Sequence, residues 1–249
     1  TQSRSISMTL SATGSIGKQI VKDLTSKNIF VASIGRNKKK LINLTQDNNL
    51  TKGYLCDIID KKKCKLIIEK IFMDLKKIDF IIFAHGIGGI TPIEKIDEAI
   101  WDNMFDVNLK FTFFFAQEII KIMKKQQCGK ILFISSIHGK KTYEHRLVYA
   151  ATKSSIDSMT RSMSIDLAKH NISVNSVAPG QLMTNIQKNM IKKNSKMKLF
   201  FDNIKNTTPT KKFTTVDDVS EVITQLIIMK NHQFTGMVIY VDGGITNII

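Results

Sequence analysis

Short apolar runs alternate with longer stretches of three-to-four-residue apolar spacing along this 249-residue chain. The short runs predict strands at Ile6–Leu10, Ile29–Ile34, Gly53–Cys56, Phe80–Ala84, Gly129–Ser135, Ile172–Val177 and Met237–Val241. Phe80–Ala84 is apolar throughout, as a parallel strand covered on both faces requires. The longer stretches predict helices over Gly17–Lys27, Lys38–Thr45, Lys61–Lys76, Tyr149–His170 and Thr215–Lys230. In Lys61–Lys76 the apolar face is Leu66, Ile67, Ile71 and Leu75. Ile96–Lys125 reads as one long helix with a break near Asp106–Asn108, and Pro179–Pro209 as polar, irregular chain with short helices. Strands alternating with helices predict an α/β fold around a parallel sheet. No repeat or Pro/Gly/Ser-rich linker is present, and Pro92, Pro179 and Pro209 do not divide the pattern, so residues 1–249 are expected to be one domain.

Composition removes several alternatives. A hydrophobic content of 43% suffices for a sizeable core and argues against disorder. The start of the chain lacks a signal-peptide pattern, and its apolar runs are far shorter than the ~20 residues of a membrane span. Cys56, Cys64 and Cys128 are odd in number and contain no CxxC pair. Reduced thiols, no metal site and a cytoplasmic location are therefore expected. The net charge of +16 raises nucleic acid as a partner. Only Arg4, Arg36, Arg146 and Arg161 are arginine, and the lysines are spread along the chain. Solvated faces account for such a distribution, and no specific nucleic-acid site is expected. The charge remains compatible with an anionic substrate or an acidic carrier.

Three places carry candidate chemistry. First, the run Ser11-Ala12-Thr13-Gly14-Ser15-Ile16-Gly17 joins the first strand to the first helix. It is either a plain turn or a small-residue loop through which a pyrophosphate meets a helix N-terminus. Second, Arg36 ends the second strand where a dinucleotide fold carries an acid for a ribose 2′-OH or an arginine for a 2′-phosphate. Arg36, followed by Lys38–Lys40, favours NADP(H) over NAD(H); the other reading is a loop arginine in a lysine-rich chain. Third, Tyr149 and Lys153 stand at i and i+4, with Ser136 thirteen residues upstream of the tyrosine. On a helix the pair lies on one face, about 6 Å apart along the axis. A nearby ammonium stabilises a phenolate, and such a tyrosine can exchange a proton with an alcohol or carbonyl oxygen. By itself, YxxxK also fits an ordinary helix with a half-buried Tyr and a solvated Lys.

Taken in order, these residues resemble the short-chain dehydrogenase/reductase family in its single-domain form of about this length. The resemblance runs through Ser11–Gly17, Asp57, Ala84-His85-Gly86, Asn108, Ser136, Tyr149/Lys153, Pro179-Gly180 with Thr184, and Asp242-Gly243-Gly244. It implies a Rossmann-like, doubly wound parallel sheet of about seven strands with helices on both faces. It also implies ketone–alcohol interconversion with NADP(H). Tyr149 would be the general acid or base, Lys153 the cation beside it and a hold on the nicotinamide ribose. Ser136 would bond the substrate oxygen, and Asn108 would orient a water and Lys153. Cofactor contacts would fall to Ser11, Thr13, Gly14, Ser15, Ile16, Gly17, Arg36, Asp57, Ile58, Ala84, Gly86, Pro179, Gly180, Leu182 and Thr184. His138, Tyr143, Gln181 and Met190 are candidates for substrate contact, and residues 181–212 for a lid. His138 and His85 also read as structural histidines. The implied substrate is a small carbonyl compound or alcohol, free or carrier-bound, of the 3-oxoacyl-thioester kind or a specialised-metabolite ketone. The implied assembly is a homodimer or homotetramer.

The chain departs from the family pattern in three places. In the glycine loop, serines Ser11 and Ser15 stand where the first two glycines belong, which is tolerable only where φ is negative, and Ser15 is expected to crowd a pyrophosphate. The family's Asn-Ala-Gly reads Ala84-His85-Gly86, so a strand-tying amide is missing, and the first strand carries the polar Ser7 and Thr9. The altered loop motivates an alternative: a catalytically silent NADP-binding regulator or scaffold.

Overall fold

The computed structural model describes residues 4–183, 191, 195–231 and 233–248. The apolar runs become β1 (Ile6–Leu10), β2 (Phe30–Gly35), β3 (Thr51–Leu55), β4 (Phe80–Phe83), β5 (Gly129–Ile134), β6 (Ile172–Pro179) and β7 (Val238–Val241). All seven pair in parallel, in the order β3-β2-β1-β4-β5-β6-β7. The chain builds outward from β1 to β3, then returns to place β4 on the other side of β1. In such sheets ligands bind beyond the carboxyl ends of the strands where the winding reverses. Here that crevice lies between the ends of β1 and β4.

Alternate strand residues face opposite layers. On one face Met8, Ile81, Phe83, Ile131 and Phe133 pack with residues of α3 (Lys61–Leu75), α5 (Phe111–Gln126) and α6 (Leu147–Leu167). On the other, Val31, Ile82, Leu132 and Val177 pack with α1 (Ser15–Ser26) and α8 (Val216–Ile228). Ser7 and Thr9 point toward the second layer, opposite Met8 and Leu10. They are fully buried, and their hydroxyls have no partner among the described residues. A capping box between Thr215 and Asp218 starts α8. Lys130 reaches from β5 to its far end, donating to the carbonyls of Leu226 and Ile227 at 2.9 Å each and to that of Met229. A cation there also opposes the negative end of the helix dipole.

The strands lie close to their predicted positions, and α2 (Lys38–Thr45) falls on its predicted span. Three elements differ. The predicted long helix is α4 (Glu98–Phe105) and α5, joined by a π-helical turn over Asp106–Lys110, where the break was expected. The helix carrying Tyr149 begins two residues earlier, at Leu147, and closes in a 3₁₀ turn, Ala168–His170. Within the stretch expected to hold only short helices, α7 runs over Ser195–Thr207 and buries Phe201 and Ile204. Among the described residues no helix is long and apolar enough to cross a membrane.

Candidate active site

The β1–α1 loop is built by close backbone packing. Gly14 caps α1 in an extended conformation, and among the described residues no side-chain bond to the first N–H groups of that helix is made. Its N-terminus therefore keeps donors and a positive dipole end for an anion. A Cβ on Gly17 would stand 2.2 Å from the carbonyl oxygen of Ser11, so only glycine fits there. Ser11 adopts φ 55°, the left-handed region. The condition for a harmless serine is thus not met at Ser11, and the loop carries the strain of a non-glycine residue there, about 1–2 kcal/mol. Ser15 is exposed and lines neither of the cavities described next.

A cavity of about 790 Å³ follows the carboxyl ends of β1, β2 and β3. Its walls include Ser11, Thr13, Gly14, Arg36, Asp57, Ile58 and Gly86, seven of the residues predicted to hold a cofactor. Of the Lys38–Lys40 run that follows Arg36, Lys40 lines the same cavity and adds a second cation to its wall. It is brought there by α2, whose cap Asn37 accepts a bond from the Lys40 N–H at 2.9 Å. Size, an uncapped helix N-terminus and paired cations fit an elongated anionic cofactor.

His85, Gly86 and Ile87 form a wall shared with a second cavity of about 250 Å³. There Ser136, Tyr149 and Lys153 meet, together with Ile16, Ala84, His138, Pro179, Gly180, Gln181 and Leu182. The Lys153 ammonium is buried, donates to the Ile134 carbonyl at 2.8 Å and lies 5.6 Å from the Tyr149 ring centre. Among the described residues no hydrogen bond engages the Tyr149 hydroxyl. Ser136 caps the 3₁₀ turn Ile137–Gly139 by accepting the His138 N–H at 3.3 Å, leaving its own proton to donate. The His138 ring stands edge-on to Tyr149 and Tyr143 at 5.5 and 5.4 Å, and its Nδ1 pairs with the Thr142 hydroxyl at 3.0 Å. Burial lowers the His138 pKa to about 4, with Arg146 adding to the effect, so the ring is neutral at pH 7.

Asn108 does not touch Lys153 directly. From the π turn its side chain exchanges two 2.8 Å bonds with the backbone of Ile87 and donates to Thr152 at 3.1 Å. It thereby ties the segment after β4 to α6, one residue from Lys153. A Cβ on Gly86 would stand 3.3 Å from the Lys153 ammonium and 3.4 Å from the Asn108 oxygen, so Gly86 lets the two polar groups close in. His85 ties the end of β4 to α5 instead of to another strand: its Nε2 pairs with the Thr112 hydroxyl at 2.7 Å. Desolvation of the half-buried ring lowers its pKa to about 3, with Lys153 contributing, and its Nδ1 has no partner among the described residues.

Two supporting residues escaped the sequence reading. Asp157, one turn beyond Lys153, is buried beneath Gly139, where a Cβ would stand 2.3 Å from its carboxylate oxygen. Burial pushes its carboxyl up, opposed by bonds from Ser135 and Ser176 and by Arg161. The only early signal was its i+4 position after Lys153. Arg146 lines the smaller cavity and donates to the Gly89 carbonyl at 3.1 Å. Tyr143 lies behind His138 and is not on the cavity wall. Thr184 and Met190 lie outside the described residues. No metal-ligand cluster occurs among the described residues.

A family model described as enoyl-(acyl carrier protein) reductase matches residues 11–246. A 3-oxoacyl-[acyl-carrier-protein] reductase from Rickettsia conorii is 30% identical over 241 residues, covering 96% of this chain and 95% of its own. Among solved structures, ElxO with NADP bound has a TM-score of 0.91 at 25% identity, covering 98% of this chain and all of its own. Actinorhodin polyketide ketoreductase with NADPH has a TM-score of 0.91 at 22% identity, covering 100% and 99%. The match from the β1–α1 loop to the C-terminal turn leaves little of the chain outside it. This chain belongs to the short-chain dehydrogenase/reductase family of oxidoreductases.

Proposed function

We propose that this protein is an NADP(H)-dependent ketoreductase, interconverting a ketone and a secondary alcohol. The observation that carries the reading is the meeting of Ser136, Tyr149 and Lys153 on a small cavity that shares a wall with the larger one. When bound, the nicotinamide cofactor supplies or accepts the hydride. The chain holds the substrate oxygen and moves the proton. Ser136 donates to the carbonyl oxygen and fixes its direction. Tyr149 gives that oxygen its proton as the alcohol forms, and Lys153, anchored on the Ile134 carbonyl, stabilises the phenolate left behind. Arg36 and Lys40 would pair with a 2′-phosphate, and Asp57 and Ile58 would flank the adenine. A relative named 3-oxoacyl-[acyl-carrier-protein] reductase and a neighbour named polyketide ketoreductase support a 3-oxoacyl thioester or a polyketide-like ketone as substrate class. Assembly as a homodimer or homotetramer is proposed on the family resemblance alone.

Fluorescence titration with NADPH and NADH, followed by oxidation of NADPH in the presence of a 3-oxoacyl thioester and a panel of simple ketones, tests this. NADPH binds at least tenfold more tightly than NADH, and Arg36→Leu removes most of that difference, about 1.5–3 kcal/mol. Tight NADPH binding with no hydride transfer to any ketone would instead establish the silent regulator or scaffold.

A further inference from the structure

Two of the three cysteines face one another beside the larger cavity, in a place the ketoreductase chemistry does not use. Cys56 follows β3, Cys64 lies in the first turn of α3, and their sulfurs are 3.5 Å apart. Both are buried and neither is bridged. Between them runs the Asp57–Asp60 turn, and the thiols bond it from within. The Cys56 sulfur lies 3.5 Å from the Asp57 carbonyl oxygen and the Cys64 sulfur 3.4 and 3.5 Å from those of Asp57 and Ile58, alternative acceptors for the one proton each thiol carries. Asp57 and Ile58 are also walls of the larger cavity. The pair is reachable from two sides. Cys56 borders the larger cavity, and Cys64 borders a separate hollow of about 50 Å³ lined by Ile58, Lys61 and Phe114.

The two sulfurs are chemically unequal. A bond from Cys64 lowers the Cys56 pKa, and Lys63 adds to this, whereas Cys64 is raised by the same contact and by burial. Geometry points the same way: Cys56 borders the cavity of about 790 Å³ and Cys64 only the hollow of about 50 Å³, so a peroxide has more room to reach Cys56, with Cys64 placed to resolve it. A disulfide needs its sulfurs at about 2.05 Å, so closure draws them together by roughly 1.5 Å across the turn.

We propose that Cys56 and Cys64 form a redox-active dithiol, a modification site for hydrogen peroxide, and that its closure weakens cofactor binding by displacing the Asp57–Ile58 turn. In the first step the Cys56 sulfur attacks one peroxide oxygen and the O–O bond breaks. Cys56 becomes the sulfenic acid, and its thiol proton leaves with the other oxygen as water. In the second step the Cys64 sulfur attacks Cys56, the S–O bond breaks, and the Cys64 proton leaves with that oxygen as a second water. Two thiols lose two electrons, and one peroxide is reduced to two waters. Only the effect on the cofactor rests on reading the larger cavity as the NADP(H) site.

The test uses the full chain carrying Cys128→Ser, which removes the exposed thiol. After hydrogen peroxide, peptide mapping without reductant is expected to find Cys56 joined to Cys64 with the loss of two hydrogens, reversed by dithiothreitol. Saturating NADPH slows the joining, and the joined form binds NADPH about tenfold more weakly. In a Cys64→Ser background, dimedone traps Cys56 as its sulfenic acid. The dithiol is refuted if no cross-link forms at a peroxide concentration that fully oxidises Cys128 in the unaltered chain. The effect on the cofactor is refuted if the cross-linked protein binds NADPH as well as the reduced one. Failure of the reduced protein to bind NADPH would overturn the cofactor reading alone, because the peptide map is read without it.

Discussion

The two cavities share a wall but are built to different tolerances. Around the smaller one, the groups that flank Tyr149 are held by close, specific contacts. Lys153 is fixed by the Ile134 carbonyl, the Ser136 turn rests on Asp157 through Gly139, and Asn108 binds the Ile87 backbone at two points. Around the larger one the chain carries costs. Ser11 sits in a left-handed conformation, and the strand feeding the loop buries the unpartnered hydroxyls of Ser7 and Thr9. The contrast matches what each region has to do. Proton transfer requires a few atoms placed to fractions of an ångström. An extended anion is held by many weaker contacts, so one loop position can lose its ideal residue while Gly17 keeps the close approach.

Among substitutions that leave the reacting groups themselves in place, the largest expected effect lies on the tightly built side. Gly139→Ala drives a methyl into the Asp157 carboxylate and moves the turn bearing Ser136 and His138. kcat is expected to fall about 100-fold, with NADPH affinity unchanged. An unaltered kcat would mean that the turn is not held as tightly as its contacts imply.

Acid should expose the shared wall next. His85 and His138 have folded pKa values near 3 and 4, below the usual ~6.5 of an unfolded histidine. Their stabilising contribution is complete above pH ~6.5 and is lost as pH falls toward the folded values, because the unfolded chain then binds protons that the native state refuses. Each contributes on the order of 1.4 kcal/mol per pH unit within that window. Urea unfolding between pH 7 and 5 measures the slope. His85→Asn should make it shallower, and an unchanged slope would remove His85 from the account.

The smallest effects belong to the loosely built side. Ser11→Gly relieves a left-handed residue, and Thr9→Val removes a buried hydroxyl without changing side-chain shape. Each is expected to raise unfolding free energy by about 1 kcal/mol in urea titrations. Destabilisation by both would reverse the comparison.

The same division governed what could be read in the sequence. Apolar runs located the strands because burial on both faces demands them, and Ile6–Leu10 matched to the residue despite its polar members. The edge strand was placed two residues late at its start, because Thr51 and Lys52 precede Gly53 without an apolar run. Ser136, Tyr149 and Lys153 were legible because local spacing puts the last two on one helical face. The contact of Gly139 with Asp157 was not, because it joins residues eighteen apart through tertiary packing. Nor was the positive φ of Ser11, since a serine normally avoids it. Arg36 and the Lys38–Lys40 run after it were legible at the strand end, but which of the three lysines lines the cavity depends on how α2 leaves Asn37.

The central claim is that Tyr149 transfers the proton. Single-turnover reduction by Tyr149→Phe, with NADPH affinity measured on the same sample, tests it most directly. The account predicts a loss of about 10²–10⁴-fold in the rate with NADPH affinity unchanged. Turnover at the unaltered rate would contradict it.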